Sequence, residues 1–177
     1  MRLETERLIL RPWREEDRAP YARMMADPEV GYWLGGTLTA AQANAQVDRV
    51  LTQQDGAPGL MAIERRSDGA FLGGCGLLQV SSNLPFAGEV EIAWRLARAA
   101  WGAGYATEAA RAVARHGFDS LGLTNIFAFT AESNRRSRAV MERLGFERQA
   151  WRDFDHPNLA ADHPLRRHVV YVLSRNP

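Results

Sequence analysis

Residues of three kinds in this 177-residue chain have types and spacing suited to chemistry. The first is the glycine-rich turn Trp101-Gly102-Ala103-Gly104-Tyr105-Ala106, followed by an alanine-rich run of good helix propensity. A glycine turn that opens a helix leaves several backbone N–H groups unpaired. Together with the positive end of the helix dipole they suit phosphate oxygens, and a pyrophosphate is the expected guest. A P-loop would need Gly-Lys-Ser/Thr at the helix start, but Tyr105 and Ala106 follow Gly104. A dinucleotide fingerprint would need a third glycine where Thr107 stands. Taken alone, the turn reads equally as a strand–turn–helix corner whose glycines permit close packing. The second kind is acidic: Glu89 and Glu91 alternate with Val90, Ile92 and Trp94 on the strand that leads into the turn. The third is a late group, Asn134 and Ser137 at the start of one helix, then His156, His163 and His168 near Asp153 and Asp155.

The elements that position these residues follow from periodicity. Arg7 to Arg11 alternates as a strand that Pro12 stops, and Trp13 opens a helix reaching about Met25, ended by Asp27-Pro28. Glu29 to Gly36 is expected as a loop carrying Tyr32 and Trp33, over a core edge or as a lid. Thr37 or Thr39 caps a polar surface helix reaching about Gln54, and residues 55–59 form a loop. Leu60 to Arg65 and Ala70 to Val80 pair as a hairpin across Ser67-Asp68-Gly69. Gly73, Gly74 and Gly76 weaken its second strand and imply a bulge or a close backbone approach. The helix after the phosphate turn closes over Phe118 to Leu123 with Gly122 as its C-cap. A strand spans 125–131, a helix 135–144, a short strand starts at Phe146, a loop covers 151–164, and His168 to Leu173 is the last strand. Strand, two helices, three strands, helix, strand, helix and two strands make an α/β fold with a mixed central sheet flanked by helices on both faces. The expectation is one domain over 1–177.

Bulk properties exclude several classes. A net charge of +1 supplies no field for nucleic acid or an acidic membrane surface. No apolar run is long enough to span a bilayer, and Met1 to Glu6 does not read as a signal peptide. The single cysteine, Cys75, cannot form an internal disulfide, which fits a reducing cytoplasm. It has no local base, so it reads as a buried structural thiol rather than a nucleophile. The histidine spacings match no zinc pattern, so a structural or acceptor-facing loop is preferred to a metal site.

The ordered set Glu91-Ile-Ala-Trp-Arg-Leu96, Trp101-Gly-x-Gly-Tyr-Ala-Thr-Glu-Ala109, Asn134-x-x-Ser137 and Leu144-Gly-Phe146 resembles the GNAT superfamily of acyl-CoA-dependent N-acyltransferases. With Thr5-Glu-Arg-Leu-Ile-Leu-Arg-Pro12 at the start, the likeness extends over nearly the whole chain and is nearest to the RimJ/RimL-like branch. One departure is Trp101, where the broad superfamily has Gln or Arg. The resemblance implies acetyl-CoA as co-substrate and no metal. It implies pyrophosphate contacts from Trp101, Gly102, Ala103, Gly104, Tyr105 and Ala106. It also implies backbone pairing of Trp94, Arg95 and Leu96 with the pantetheine arm at a strand that splays from its neighbour. Asn134 and Ser137 would meet the carrier, and the oxyanion would lie near the N–H groups of Arg95 and Leu96.

Acyl transfer from a thioester to an amine needs the carrier gripped, the amine deprotonated, the oxyanion stabilised and the thiolate protonated. Glu91 is the first choice of base, directly or through water, with Glu89 in reserve. A lone glutamate on a half-buried strand is as often solvated or salt-bridged. The tyrosine that many family members use as acid is replaced by Met141, and Ser137 is the branch's substitute. Asn134 also reads as a plain helix cap, and Ser137 as a first-turn residue bonded to its own backbone. Arg135, Arg136 and Arg138 can meet the carrier's 3′-phosphate or form a solvated helix face. The expected activity is acetyl transfer from acetyl-CoA to a primary amine by direct attack in a ternary complex. The acceptor is a small molecule or a protein N-terminus. The alternative is a CoA-binding sensor or degenerate paralogue without turnover. Acceptor identity, another acyl donor and a homodimer all stay open.

Overall fold

In a computed structural model, residues 1–52 and 59–175 are described. Nine strands are present among them: β1 (Leu3–Glu4), β2 (Leu8–Arg11), β3 (Leu60–Arg65), β4 (Phe71–Gln79), β5 (Val90–Leu96), β6 (Asn125–Ala131), β7 (Glu147–Arg148), β8 (Phe154–Asp155) and β9 (Arg167–Ser174). They form one sheet in the order β1-β2-β3-β4-β5-β6-β9-β7, with β8 also on β9. Every pairing is antiparallel except β5 with β6, which is parallel. Five helices cover the sheet: α1 (Arg18–Ala26), α2 (Pro28–Tyr32), α3 (Ala40–Thr52), α4 (Tyr105–Asp119) and α5 (Arg135–Arg143).

The mixed sheet has helices on both faces. On one face Ala109 and Val113 of α4 and Met141 of α5 pack with Leu77, Ile92 and Ile126. On the other, Tyr21 and Met25 of α1 and Val47 of α3 pack with Trp13 and Ala62. Farther along that second face Phe86, Phe127, Phe154 and Val170 form a separate aromatic cluster. The alternation read from the sequence therefore assigns each strand residue to its face: Val90, Ile92, Trp94 and Leu96 toward α4, and Glu91, Ala93 and Arg95 toward α1 and α3.

Several boundaries differ from the sequence expectation. Residues 28–32 are helical rather than loop, because Asp27 caps them by accepting the Glu29 N–H (2.8 Å) and Pro28 sits at the first helical position. Thr39 is the cap of α3: its hydroxyl accepts from the Gln42 N–H while the Gln42 side chain accepts from the Thr39 N–H. That helix does not merely lie on the surface, since Ala43 and Val47 are buried. The expectations for Gln53, Gln54 and the 55–58 loop lie outside the described residues. Ser120, not Gly122, is the C-cap of α4, and Gly122 instead supplies a positive φ of 68° just beyond it. The long loop after Trp151 contains β8, and β1 precedes the first expected strand. These two-residue strands are too short to carry periodicity.

Candidate active site

The cleft begins where β5 and β6 part. β5 is in register with β4 at seven consecutive positions from Val90 to Leu96. With β6 its one registered pair among the described residues is Glu91 with Phe127. The Val80 N–H donates to the Glu89 carbonyl, and the Ala97 N–H donates to the Leu72 carbonyl. In an antiparallel ladder such bonds recur at every second residue, so Glu91, Ala93 and Arg95 turn their peptide groups toward β4. Ile92, Trp94 and Leu96 turn theirs toward the gap left by β6. The Leu96 carbonyl there accepts the Trp101 indole N–H (2.9 Å). The splay expected from the family resemblance is present.

The glycine turn closes one end of this gap. Gly102 and Gly104 have φ of 78° and 81°. A Cβ at Gly102 would meet nothing within 4 Å, and one at Gly104 only Arg7 Nη2 at 3.5 Å. These glycines are therefore not there for close packing. They give a left-handed backbone at the start of a 15-residue helix, whose first N–H groups have no partner within the helix. Trp101 is half-buried, and its ring lies between the guanidinium groups of Arg98 (5.0 Å) and Arg136 (4.8 Å). Its indole thus anchors the turn to β5 by the N–H and to α5 by the ring, and the Gln or Arg of the broader pattern could supply the donor but not the ring face.

The N-terminal segment holds the turn from outside, in a network to which sequence reasoning gave no role. Glu108, in the first turn of α4, accepts from Thr5 Oγ1 (2.6 Å), the Arg7 N–H (2.9 Å) and Arg7 Nε (2.7 Å). Arg7 Nη1 donates to the Ala103 carbonyl (3.0 Å), and its guanidinium stacks 4.7 Å from the Tyr105 ring. Burial pushes the Glu108 carboxyl up, but the hydrogen bonds from Thr5 and Arg7 outweigh it and hold the carboxyl below its ordinary range. The run Thr5-Glu-Arg was visible as part of a resemblance. Its partner, 101 residues away, was not.

Glu91 lies on the α1/α3 face, half-buried, and its carboxylate makes no hydrogen bond within the described protein. Burial raises its pKa from an ordinary 4.5 to about 7, against the opposing charge of Arg95. Glu89 is exposed. Asn134 caps α5 by accepting the Ser137 N–H (3.2 Å), and its amide donates to Thr130 Oγ1 (3.1 Å). The Ser137 hydroxyl has no protein partner among the described residues, so it is not bonded to its own backbone. Met141 is 1% exposed within the core, so its position offers neither a proton donor nor access to the cleft. Arg138 is bound to the Glu132 carbonyl and the Tyr171 hydroxyl, and Arg136 to the Trp101 ring. Arg135 is exposed.

The late histidines form no metal centre among the described residues, where no cluster of three or more His, Cys, Asp or Glu side chains is placed to hold an ion. The rings of His156 and His168 lie 4.9 Å apart, tilted by 46°, beside Phe154, and burial lowers both pKa values. Cys75 is fully buried, which pushes its thiol far up and leaves it unreactive. Between α1, α3 and the sheet, on the same face as Glu91, lies a cavity of about 220 Å³ lined by Trp13, Tyr21, Gln46, Arg49, Leu60 and Arg95 among others. A larger one of about 450 Å³, walled by Arg111, Phe118, Asp119 and Arg175, lies along the far half of α4, away from the turn.

Fold and cleft together define an acyl-CoA-dependent N-acetyltransferase. The chain belongs to the GNAT acetyltransferase family: the model of the acetyltransferase (GNAT) domain matches residues 7–147. It is 30% identical over 158 residues to the uncharacterized N-acetyltransferase p20 of Bacillus licheniformis, covering 86% of each chain. An acetyltransferase (GNAT family) from Bacillus anthracis superposes with a TM-score of 0.82 at 20% identity, over 98% of both chains. The ribosomal-protein-S5-alanine acetyltransferase of Vibrio fischeri does so with a TM-score of 0.77 at 14% identity, over 98% of this chain and 96% of that one. The last two are likenesses of fold. No helix among the described residues is long and apolar enough to cross a membrane.

Proposed function

We propose that this protein transfers the acetyl group of acetyl-CoA to a primary amine by direct attack in a ternary complex, with residues 1–177 acting as one catalytic domain. The observation that carries the reading is the parting of β5 from β6 beyond Glu91, with the open Gly102–Gly104 turn at the end of the gap. The pantetheine arm, itself a chain of amides, pairs with the peptide groups of Trp94 and the N–H of Leu96 in place of the missing strand. The pyrophosphate sits on the N–H groups of Gly102 to Ala106 at the positive end of α4. The Asn134 amide, through its second N–H, and the Ser137 hydroxyl face the same carrier from α5. The oxyanion forms near the N–H of Leu96; the N–H of Arg95, expected to share that task and the carrier's backbone pairing, turns instead toward β4.

Glu91 accepts the proton of the incoming ammonium, directly or through water. A carboxyl with a pKa of about 7 is matched to an α-amine of ~7.7–8.0 far better than to a lysine of ~10.4. With Met141 in the core, the thiolate leaves with a proton from the Ser137 hydroxyl or unassisted. The unpartnered, raised carboxyl of Glu91 favours turnover over a CoA sensor without chemistry, because a sensor has no use for it.

Thermal melts with and without acetyl-CoA test the carrier. Ligand at about 100 times Kd adds roughly 2.7 kcal/mol. Gly104→Ala should lower stability by ~1–2 kcal/mol through its positive φ yet keep a ligand-induced shift. Gly104→Glu should lose the shift, because its carboxylate occupies the phosphate position. An equal shift in Gly104→Glu and wild type would remove the turn from the carrier site.

A further inference from the structure

Resting on the acetyl-transfer reading of the same cleft, we propose that the acceptor is a small primary amine bearing a carboxylate, held by Arg49 and Arg95 in the cavity between α1, α3 and the sheet. The cavity has an apolar side, Trp13, Val47, Val50 and Leu60, and a polar side, Tyr21, Gln46, Arg49 and Arg95. Its polar groups are already ordered in one direction. Arg95 Nη1 donates to the Tyr21 hydroxyl (3.4 Å), which donates to Gln46 Oε1 (2.5 Å). Among the described residues that chain uses the two good acceptors and leaves donors: the Gln46 amide N–H₂, the rest of the Arg95 guanidinium and all of Arg49's.

Among the described residues no acid claims these donors. Among the described residues neither arginine has a carboxylate within ion-pair distance. Asp48, next to Arg49 on α3, is turned to Arg18 (2.7 Å). Glu91 acts on Arg95 only through its charge, without a hydrogen bond. Two guanidinium groups and an amide N–H₂ around about 220 Å³ make a receptor for a planar anion on a short aliphatic stem. Arg95 also fixes the geometry. Its neighbours Trp94 and Leu96 form the strand edge assigned to the thioester, and its side chain lines the cavity. A carboxylate on that guanidinium therefore sits one side chain's reach from the acyl group, with the amine between the thioester and Glu91. An amino acid meets that spacing. A polyamine brings its second charge against two cations and is disfavoured.

The test uses matched acceptors: an α-amino acid, the same compound as its α-amide, a dipeptide beginning with it, and spermidine. Equilibrium binding is read by calorimetry on the full chain, with and without CoA, and turnover by thiol release from acetyl-CoA. Binding is read at pH 6.5, where the amines of both compounds are ammonium, so a preference for the carboxylate cannot come from amine ionisation. The expected result is at least about 10-fold tighter binding of the amino acid than of its amide, the worth of one charge-assisted hydrogen bond. Arg49→Gln should bring that ratio close to one, and Arg49→Lys should restore part of it. Equal or tighter binding of the amide or spermidine, or a ratio unchanged in Arg49→Gln, overturns the proposal. So does failure of every carboxylate acceptor to bind at millimolar concentration. A dipeptide that binds as well as the amino acid moves the carboxylate's position outward and overturns the α-amino-acid spacing. Because binding is also read without donor, absence of thiol release alone counts against acetyl transfer and leaves the cavity's preference measured.

Discussion

At the scale of the residue, Glu91 is the clearest case of environment giving chemistry to an ordinary side chain. Burial favours its neutral form, and its pKa of about 7 puts the change of charge in the range where an α-amine begins to lose its proton. Activity should therefore rise with pH through about 7, where Glu91 becomes the free base, and kcat/KM measured from pH 6 to 9 on wild type and Glu91→Gln checks it. The variant should lose ~10²–10⁴-fold and lack the limb near 7. A profile with the same limb would take Glu91 out of the mechanism. The linkage has a definite sign as well. The folded pKa lies above the unfolded one, so the contribution to stability is present below 4.5 and is lost as pH rises through about 7. Glu91→Gln should be the more stable protein at pH 8 and show no advantage at pH 4, which urea midpoints at the two pH values will read.

At the scale of the element, the turn before α4 is built by segments far apart in sequence. The turn itself was legible, because glycine spacing at a strand-to-helix junction is a local signal. So was the face on which Glu91 and Arg95 lie, because strand alternation is local too. The splay of β5 from β6 was not, since it depends on where β6 is drawn by its seven-position pairing with β9. Nor was the Glu108 network, whose partners Thr5 and Arg7 meet it only once β2 lies beside α4. The helix at 28–32 was missed for a different reason: its Asp27-Pro28 signal was read only as a stop. Glu108→Gln keeps the shape but loses the charge that holds Arg7 on the Ala103 carbonyl. It should cost ~1–3 kcal/mol of stability and raise the KM for acetyl-CoA several-fold, with a smaller change in kcat. Amide exchange over residues 101–106 should quicken in step. A KM that stays at the wild-type value while exchange quickens would separate the network from carrier binding.

At the scale of the whole molecule, the sheet and the α1–α3 layer must stay in one arrangement, because the acceptor cavity has one wall on each. Much of that registration runs through a buried charge cluster. Arg11, at the end of β2, grips Asp17 with two hydrogen bonds of 2.8 Å and Glu64 of β3 with one of 2.6 Å. Asp17 also accepts the Arg14 N–H (2.8 Å), so it fixes the turn from which α1 starts. Arg11 and Asp17 are 5% and 2% exposed, and the hydrogen bond to Asp17 above all holds the guanidinium well above its ordinary pKa. The sequence showed Arg11 only as the polar side of an alternating strand. Its burial follows from the covering segment at Asp17. Asp17→Asn leaves a buried cation short of its partner and should cost ~3–5 kcal/mol, a large part of a total that is ~5–15 for a domain. By the usual scaling that lowers Tm by roughly 6–20 °C. Arg11→Met with Asp17→Leu removes both charges, and Glu64, 17% exposed at its side chain and near Arg14, can turn to solvent. The double variant should therefore melt above Asp17→Asn. Acceptor KM decides what the cluster is for: recovery of stability with a KM still raised would mean that the ion pair sets the position of α1, and with it Tyr21 and the cavity, beyond holding the fold together.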